Sequence, residues 1–440
     1  MTPTDADHAL RALDEALALV SRDPRPGAAG AAGAHRAASW PDARETAARA
    51  GSAGLPRTHR VPLANALGEV LAQPLEALTD LPSFDTSAMD GWAVAGPGPW
   101  TVRPGGGVLA GSDRPEPLAD GEAVRIATGA RIPADTTAVI RSEHSHESGT
   151  QLHADRAVLT GQDIRVRGQE CRSGDLLLPA GSLVTPAVLG LAAAAGYDEL
   201  TTRPRPRVEI LVLGDELLTE GRPHEGLIRD ALSPMLGPWL TRLGAEVTAT
   251  RRLGDDPAGA KALLDAVTGS DADLVVTTGG TASGPVDHVH PVLHEAGAEL
   301  LVDGVAVRPG HPMLLARLGC GTPGRDAVRH LVGLPGNPLA AVSGLVTLAE
   351  PLLRALAGRR QRPRYTVPVQ GDVPGHPYDT RLVPVLLTDE HAVPLRYNGP
   401  AMLRGVAAAD GLAVVPPHGA RNGQDLEILD LPWVSGGCFT

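Results

Sequence analysis

The 440-residue sequence predicts a multidomain protein of the α/β plus β class. Three observations lead there. A chain of this length is too long for one compact core, so several domains are expected. Between residues 206 and 361 the buried-strand runs VEILVLG, DLVVTTGG and HLVGLPG alternate with helical stretches, the pattern of a parallel sheet with helices on both faces. Before and after that block the chain reads as short apolar runs interrupted by Gly and Pro, as in small β-rich domains.

In chain order, Leu10, Leu13, Leu17 and Val20 share one helical face, and the Pro/Gly/Ala-rich stretch 24–38 that follows makes residues 1–38 a helix on a flexible tether. A second helix is expected from Trp40-Pro41-Asp42, with proline in its first turn. Residues 39–80 and 166–205 form one linking domain, interrupted by a β-rich module over 81–165. The α/β domain covers 206–361, and residues 362–440 return to short β runs.

Composition narrows the function. Hydrophobic content of 42% with 20% charged residues is that of a soluble globular protein. The N-terminus MTPTDADHAL lacks a secretion signal and no apolar run reaches bilayer length, so a cytoplasmic protein with no membrane partner is expected. A net charge of −12 argues against a nucleic-acid partner. Cys171, Cys320 and Cys438 are widely spaced and read as reduced thiols. Lys261 is the only lysine, which excludes a P-loop nucleotide site.

Ligands of parallel α/β sheets bind beyond the carboxyl ends of the strands. Those ends here are Gly214-Asp215-Glu216, Gly254-Asp255-Asp256, Gly279-Gly280 and the GLPGNP run 333–338. Gly279 and Gly280 allow a tight turn close to a ligand, with Thr281 and Ser283 adding hydroxyls suited to a phosphate. Taken alone, that stretch reads equally well as a strand, a glycine turn and an Asp helix cap. Asn337-Pro338 is expected to start a helix sharply, its free N–H groups forming an anion site. Asp255 and Asp256 before Pro257 read equally as helix caps. Together, however, Asp215, Glu216, Asp255 and Asp287 at one sheet edge call for a cation, and Mg²⁺ takes oxygen ligands and bridges to phosphates. Arg308 and His311 flank a Pro-Gly turn where they could face an anion. The H-x-H pairs at 144/146 and 288/290 lack a third ligand at metal spacing and read as surface histidines.

The segments FDTSAMDGWAV (84–94), RIATGARIPADTTAVI (125–140), VRGQECRSGDLLLPAG (166–181), LGDELL (213–218), TTGGTASGPVD (277–287), VRPGHPM (307–313) and GLPGNP (333–338) resemble, in order, the molybdopterin molybdenumtransferases, relatives of the gephyrin C-terminal domain. The resemblance covers about 39–440. It implies an α/β/α molybdopterin-binding domain, two small β-rich modules, a C-terminal β-barrel-like domain, and a homodimer with its active cleft between subunits. It implies a transferase that converts adenylylated molybdopterin and molybdate, with Mg²⁺, into molybdenum cofactor and AMP. By motif, Asp90, Thr128, Glu216, Asp255 and Asp287 would be catalytic, with Asp90, Asp255 and Asp287 as metal ligands. Gly279, Gly280, Thr281, Ser283, Gly333, Pro335, Gly336, Asn337 and Pro338 would hold pterin phosphate and nucleotide, and Arg308 and His311 the molybdate.

The sequence departs from the family at Leu213 (usually Thr), Leu232 (Asn), Ala282 (Ser), Arg308 and His311 (Lys), and Ala340 and Pro400 (Ser). Neutral imidazole holds an oxyanion less well than ammonium, so the departures bear on molybdate insertion more than on pterin binding. The alternatives are a binding or scaffold protein that keeps the cleft without turnover, and an adenylyl-transfer enzyme sharing the α/β fold.

Overall fold

The computed structural model describes residues 37–54, 57–105, 107–111, 115–281, 288–319 and 328–433. The helix expected over 6–20 lies outside them.

The first described helix, Trp40–Ser52, starts where Pro41 predicts, and the Ser39 hydroxyl accepts the Asp42 N–H at 3.3 Å. Its buried residues Trp40, Ala43, Ala47 and Ala50 recur at helical spacing on one face. That face packs on the long helical stretch Pro338–Leu356, where Trp40 Nε1 donates to Thr347 Oγ1 at 3.0 Å and Arg44 donates to the Val346 carbonyl. Both contacts fall on the π-helical turn Leu345–Ala349, whose irregular carbonyls need such partners.

Two β-rich regions precede the α/β domain. Glu199–Arg203 lies between His59–Pro62 and Val70–Leu71, so chain from both sides of the inserted module builds one small sheet. The module itself is a six-stranded sheet, ordered Ala138–Arg141, Gly91–Val94, Glu122–Ile126, Trp100–Val102, Gln151–Ala154, Ser145–Ser148.

The α/β sheet is ordered Glu246–Leu253, Arg207–Leu213, Leu274–Thr278, Arg329–Leu334, Leu314–Leu318, Glu299–Asp303. Its first four strands are parallel, as the alternation predicts; the last two join by antiparallel pairing, Leu314–Leu318 running reversed and Glu299–Asp303 turning back again, an addition the sequence did not show. The reason is local: no helix lies between Glu299–Asp303, Leu314–Leu318 and Arg329–Leu334 among the described residues, and without a crossover helix neighbouring strands reverse. Both faces are covered. Val208, Ile210 and Val212 pack with Leu236, Trp239, Leu240 and the long helix, while Leu211 and Leu213 pack with Leu263, Ala266, Val289 and Leu293. Each fully buried Leu or Ile there contributes roughly 1.5–3 kcal/mol.

The stretch Pro338–Leu356 corrects the expectation that no segment reaches membrane length: its 19 residues have a mean hydropathy of 1.5. With 83% of it buried, it is the core helix of this domain.

In the C-terminal sheet, Thr380–Leu387 pairs with Gly411–Val415 on one side and, in parallel, with Val307–Arg308 on the other. A strand of the α/β domain is thus an edge of the C-terminal sheet. That sharing positions the basic residues described next.

Candidate functional site

The four parallel strands deliver their carboxyl-end loops side by side. Asp215 and Asp255, at neighbouring ends, brace each other reciprocally: Asp255 Oδ2 accepts the Asp215 N–H and Asp215 Oδ2 accepts the Asp255 N–H, both at 3.2 Å. Asp215 Oδ1 lies against Gly254, where a Cβ would stand 3.0 Å away, and Glu216 folds back so that a Cβ on Gly214 would meet Oε2 at 2.6 Å. Asp256 is the helix cap, accepting the Gly259 N–H at 2.7 Å. The two readings of the Asp pair therefore separate: Asp256 caps, and Asp255 does not. Among the described residues none of these four carboxylates forms an ion pair. The Asp255 carbonyl accepts His288 Nε2–H at 2.7 Å, so the chain returns to this loop directly after residue 287. Asp287 and Ser283 themselves lie outside the described residues.

Beside this rim, Gly279 and Gly280 take φ of +82° and +65°, and the Gly279 N–H donates to the Leu334 carbonyl at 2.8 Å. A Cβ on Gly336 would lie 3.8 Å from the Gly279 Cα, so the glycine turn and the GLPGNP turn touch backbone to backbone. Thr281 is buried, its methyl 2.8 Å from where a Gly333 Cβ would be. Gly279, Gly280, Thr281, Gly333, Pro335, Gly336, Asn337 and Pro338 are thereby brought together. The expected anion site at the helix start needs correction, however. Asn337 occupies the cap position but its side chain caps nothing, and the N–H groups of Leu339 and Ala340 donate instead to the Pro400 carbonyl, at 2.9 and 3.3 Å. The C-terminal domain has taken the donors that an anion would use.

A basic seam lies where the two domains share a sheet. Arg308 Nε donates to Asp379 Oδ2 at 2.8 Å. His311 Nδ1 donates to the Val305 carbonyl at 2.8 Å, and its ring is half-buried. Arg381, the strand neighbour of Arg308, donates to the Pro374 carbonyl and to Asn398 Oδ1 at 2.8 and 3.0 Å. His376 belongs to the same group: burial first, then the charges of Arg308, Arg381 and His311, push its pKa down, against the pull of Asp379. Sequence reasoning found Arg308 and His311 and missed His376, Asp379 and Arg381. The one available signal was the recurrence of Arg and His at a Gly-Pro turn, GHPYDTR.

In the inserted module, Asp90 and Thr128 also meet. The Thr128 N–H donates to Asp90 Oδ1 at 2.7 Å, and that bond, followed by the Thr128 side chain, holds the Asp90 carboxyl below its ordinary range. Among the described residues no hydrogen bond or ion pair links this pair to the sheet-end carboxylates. The H-x-H pairs are engaged locally: His146 with Asp155 at 2.8 Å and His290 with Asp303 at 2.9 Å.

Comparison with known proteins agrees with this architecture. Residues 38–196 match the model of the MoeA N-terminal region (domains I and II), 209–355 the probable molybdopterin binding domain, and 366–431 the MoeA C-terminal region (domain IV). The chain is 33% identical over 393 residues to molybdopterin molybdenumtransferase 2 of Mycobacterium tuberculosis, covering 84% of this chain and 94% of that one. It belongs to the molybdopterin molybdenumtransferase family. The corresponding protein of Synechococcus elongatus is 32% identical over 319 residues, 69% of this chain and 77% of that one. A solved structure of the molybdopterin biosynthesis MoeA protein from Pyrococcus horikoshii superposes with a TM-score of 0.71 at 25% identity, covering 90% of this chain and 99% of that one. The matches over 38–196 and 366–431 leave the adenylyl-transfer alternative, which rests on the α/β domain alone, without an account of the flanking domains.

Two departures from the family pattern have a structural reading. Leu213 and Leu232 are buried, each packed in a core on one side of the sheet, and Asp230 Oδ1 accepts the Leu232 and Ser233 N–H groups. These positions have joined the cores.

Proposed function

We propose that this chain is a molybdopterin molybdenumtransferase that joins molybdate to adenylylated molybdopterin with release of AMP. The observation that carries this reading is the sheet end: backbone-braced carboxylates, without cationic partners among the described residues, set beside a glycine turn. The transferase relatives support the substrate class.

In this reading the glycine turn and the GLPGNP turn hold the pterin phosphate and nucleotide by backbone contact. Arg308 and His311 receive the molybdate. The rim suits Mg²⁺ in its donor chemistry, since Asp215 and Asp255 each spend one oxygen on a backbone N–H and keep another. Among the described residues no group of three such side chains already converges as a metal cluster, and Asp287 completes the proposed set with Asp255 and Asp90. When bound, Mg²⁺ would polarise the phosphoanhydride and neutralise charge on the leaving AMP. Asp90 and Thr128 would enter the cleft from the second subunit of a cytoplasmic homodimer. Two features support that assembly: among the described residues no hydrogen bond or ion pair joins the pair to the rim of its own chain, and the wholly apolar helix Pro186–Ala194 buries only Ala192.

A second reading, a scaffold that binds the pterin without turnover, draws on the Pro400 carbonyl at the helix start. Measuring AMP release from adenylylated molybdopterin with Mg²⁺, with and without molybdate, decides between them. Molybdate-dependent release is expected. Tight binding with no release in either case would transfer the conclusion to the scaffold.

A further inference from the structure

The basic seam contains two histidines whose hydrogen bonds fix opposite tautomers. His311 Nδ1 donates to the Val305 carbonyl at 2.8 Å, so its neutral ring carries hydrogen on Nδ1 and presents a bare lone pair at Nε2. Towards an oxyanion that nitrogen is repulsive until it is protonated. His376 is arranged the other way. Its Nδ1 accepts the backbone N–H groups of Tyr378 and Asp379, at 3.3 and 3.0 Å, so its neutral ring carries hydrogen on Nε2. The Asp379 carboxylate lies 3.4 Å from the same Nδ1, too far to displace two backbone donors. The loop is held as well: the His376 carbonyl accepts the His418 N–H, and Tyr378 packs edge-on to the ring with centres 6.4 Å apart.

We propose that His376 is an uncharged hydrogen-bond donor to the bound oxyanion, supplying through Nε2–H one of the contacts that the family's second lysine would otherwise make. This rests on the assignment of Arg308 and His311 to the oxyanion. The charged groups facing His376 are Asp379 on its own loop, Arg381 on the adjoining strand, and Arg308 and His311 from the α/β domain. Arg308 and Arg381 are cationic, and a neutral donor adds a contact beside them without adding repulsion. A charged ring is opposed by burial and by the same cations. His376 therefore donates at pH 7 and 8 alike.

The test is molybdate binding to the full-length protein by calorimetry at pH 6, 7 and 8, for wild type, His376→Phe, His376→Gln, His311→Gln and Arg308→Ala. His376→Phe is expected to weaken binding about tenfold at both pH 7 and pH 8, the cost of one lost bond to a charged ligand. His376→Gln, whose amide offers an N–H at the position of Nε2, should stay within about threefold of wild type. His311→Gln, which puts an amide N–H where a bare ring nitrogen stood, should bind molybdate at least as tightly as wild type at pH 7 and pH 8. Equal binding by wild type and His376→Phe overturns the proposal, and so does His376→Gln binding as weakly as His376→Phe. If Arg308→Ala binds as wild type does, or wild type binds no molybdate, the underlying oxyanion assignment falls as well.

Discussion

At the acidic rim, Asp215 and Asp255 are 40 residues apart in sequence but stand on neighbouring strand ends, and each fixes the other's loop through a backbone N–H. At the basic seam, Arg308 and Asp379 are 71 residues apart and meet because a strand of one domain completes the sheet of another. The rim is a product of one domain's topology: any parallel sheet of this order places those loops together, and glycine with aspartate at the strand ends does the rest. The seam depends on how two domains join. It brings together residues that neither domain would place side by side alone.

The largest expected effect tests the rim. Asp255→Asn keeps an oxygen for the Asp215 N–H but removes the charge, so AMP release should fall by at least about a hundredfold, several kcal/mol of barrier, with little change in melting temperature. A fall of less than about threefold would remove Asp255 from the chemistry and leave the rim a loop brace only.

The next effect concerns the fold's acid sensitivity, which arises away from the seam. His330 lies fully buried on the strand that leads into GLPGNP, with neither ring nitrogen hydrogen-bonded, and burial pushes its pKa down from 6.5 to about 4. The unfolded chain takes up this proton below about pH 6.5 while the folded chain refuses it until about pH 4, so stability is lost as pH falls through that window. The loss amounts to roughly 3 kcal/mol at most. His330→Leu should remove most of it, read as a flatter denaturant midpoint between pH 7 and pH 4.5, while molybdate affinity at pH 7 stays as it was. An unchanged midpoint profile would show that other groups set the acid limit.

The smallest effect concerns Pro400. Because its carbonyl, not its ring, caps the helix, Pro400→Ser should shift stability by less than about 1 kcal/mol in thermal unfolding. A larger loss would mean the ring itself holds the seam.

The same contrast explains what could be read in the sequence. The parallel strands announced themselves through β-branched apolar runs ending in glycine, and the rim followed from Asp215, Glu216 and Asp255 at those ends. The motif pair Asp90 and Thr128, 38 residues apart, proved to be in direct contact. The antiparallel strands Glu299–Asp303 and Leu314–Leu318 were not legible, because nothing in their local sequence records which neighbour they pair with. His376 and Arg381 were missed for a related reason: their relevance arises only once Val307–Arg308 pairs with Thr380–Arg381. The helix start at Pro338 was read correctly and its consequence was not, since the carbonyl that consumes its donors comes from residue 400.

The Pro400 cap and the shared strand also bear on modularity. A cut between the α/β and C-terminal domains, near residue 362, would strip the core helix of its first-turn acceptor and leave Val307–Arg308 without its sheet partner. An excised α/β domain would therefore present an open helix start and an unpaired edge that the intact chain never shows. Phosphate or molybdate binding measured on such a fragment would report on a surface created by the excision.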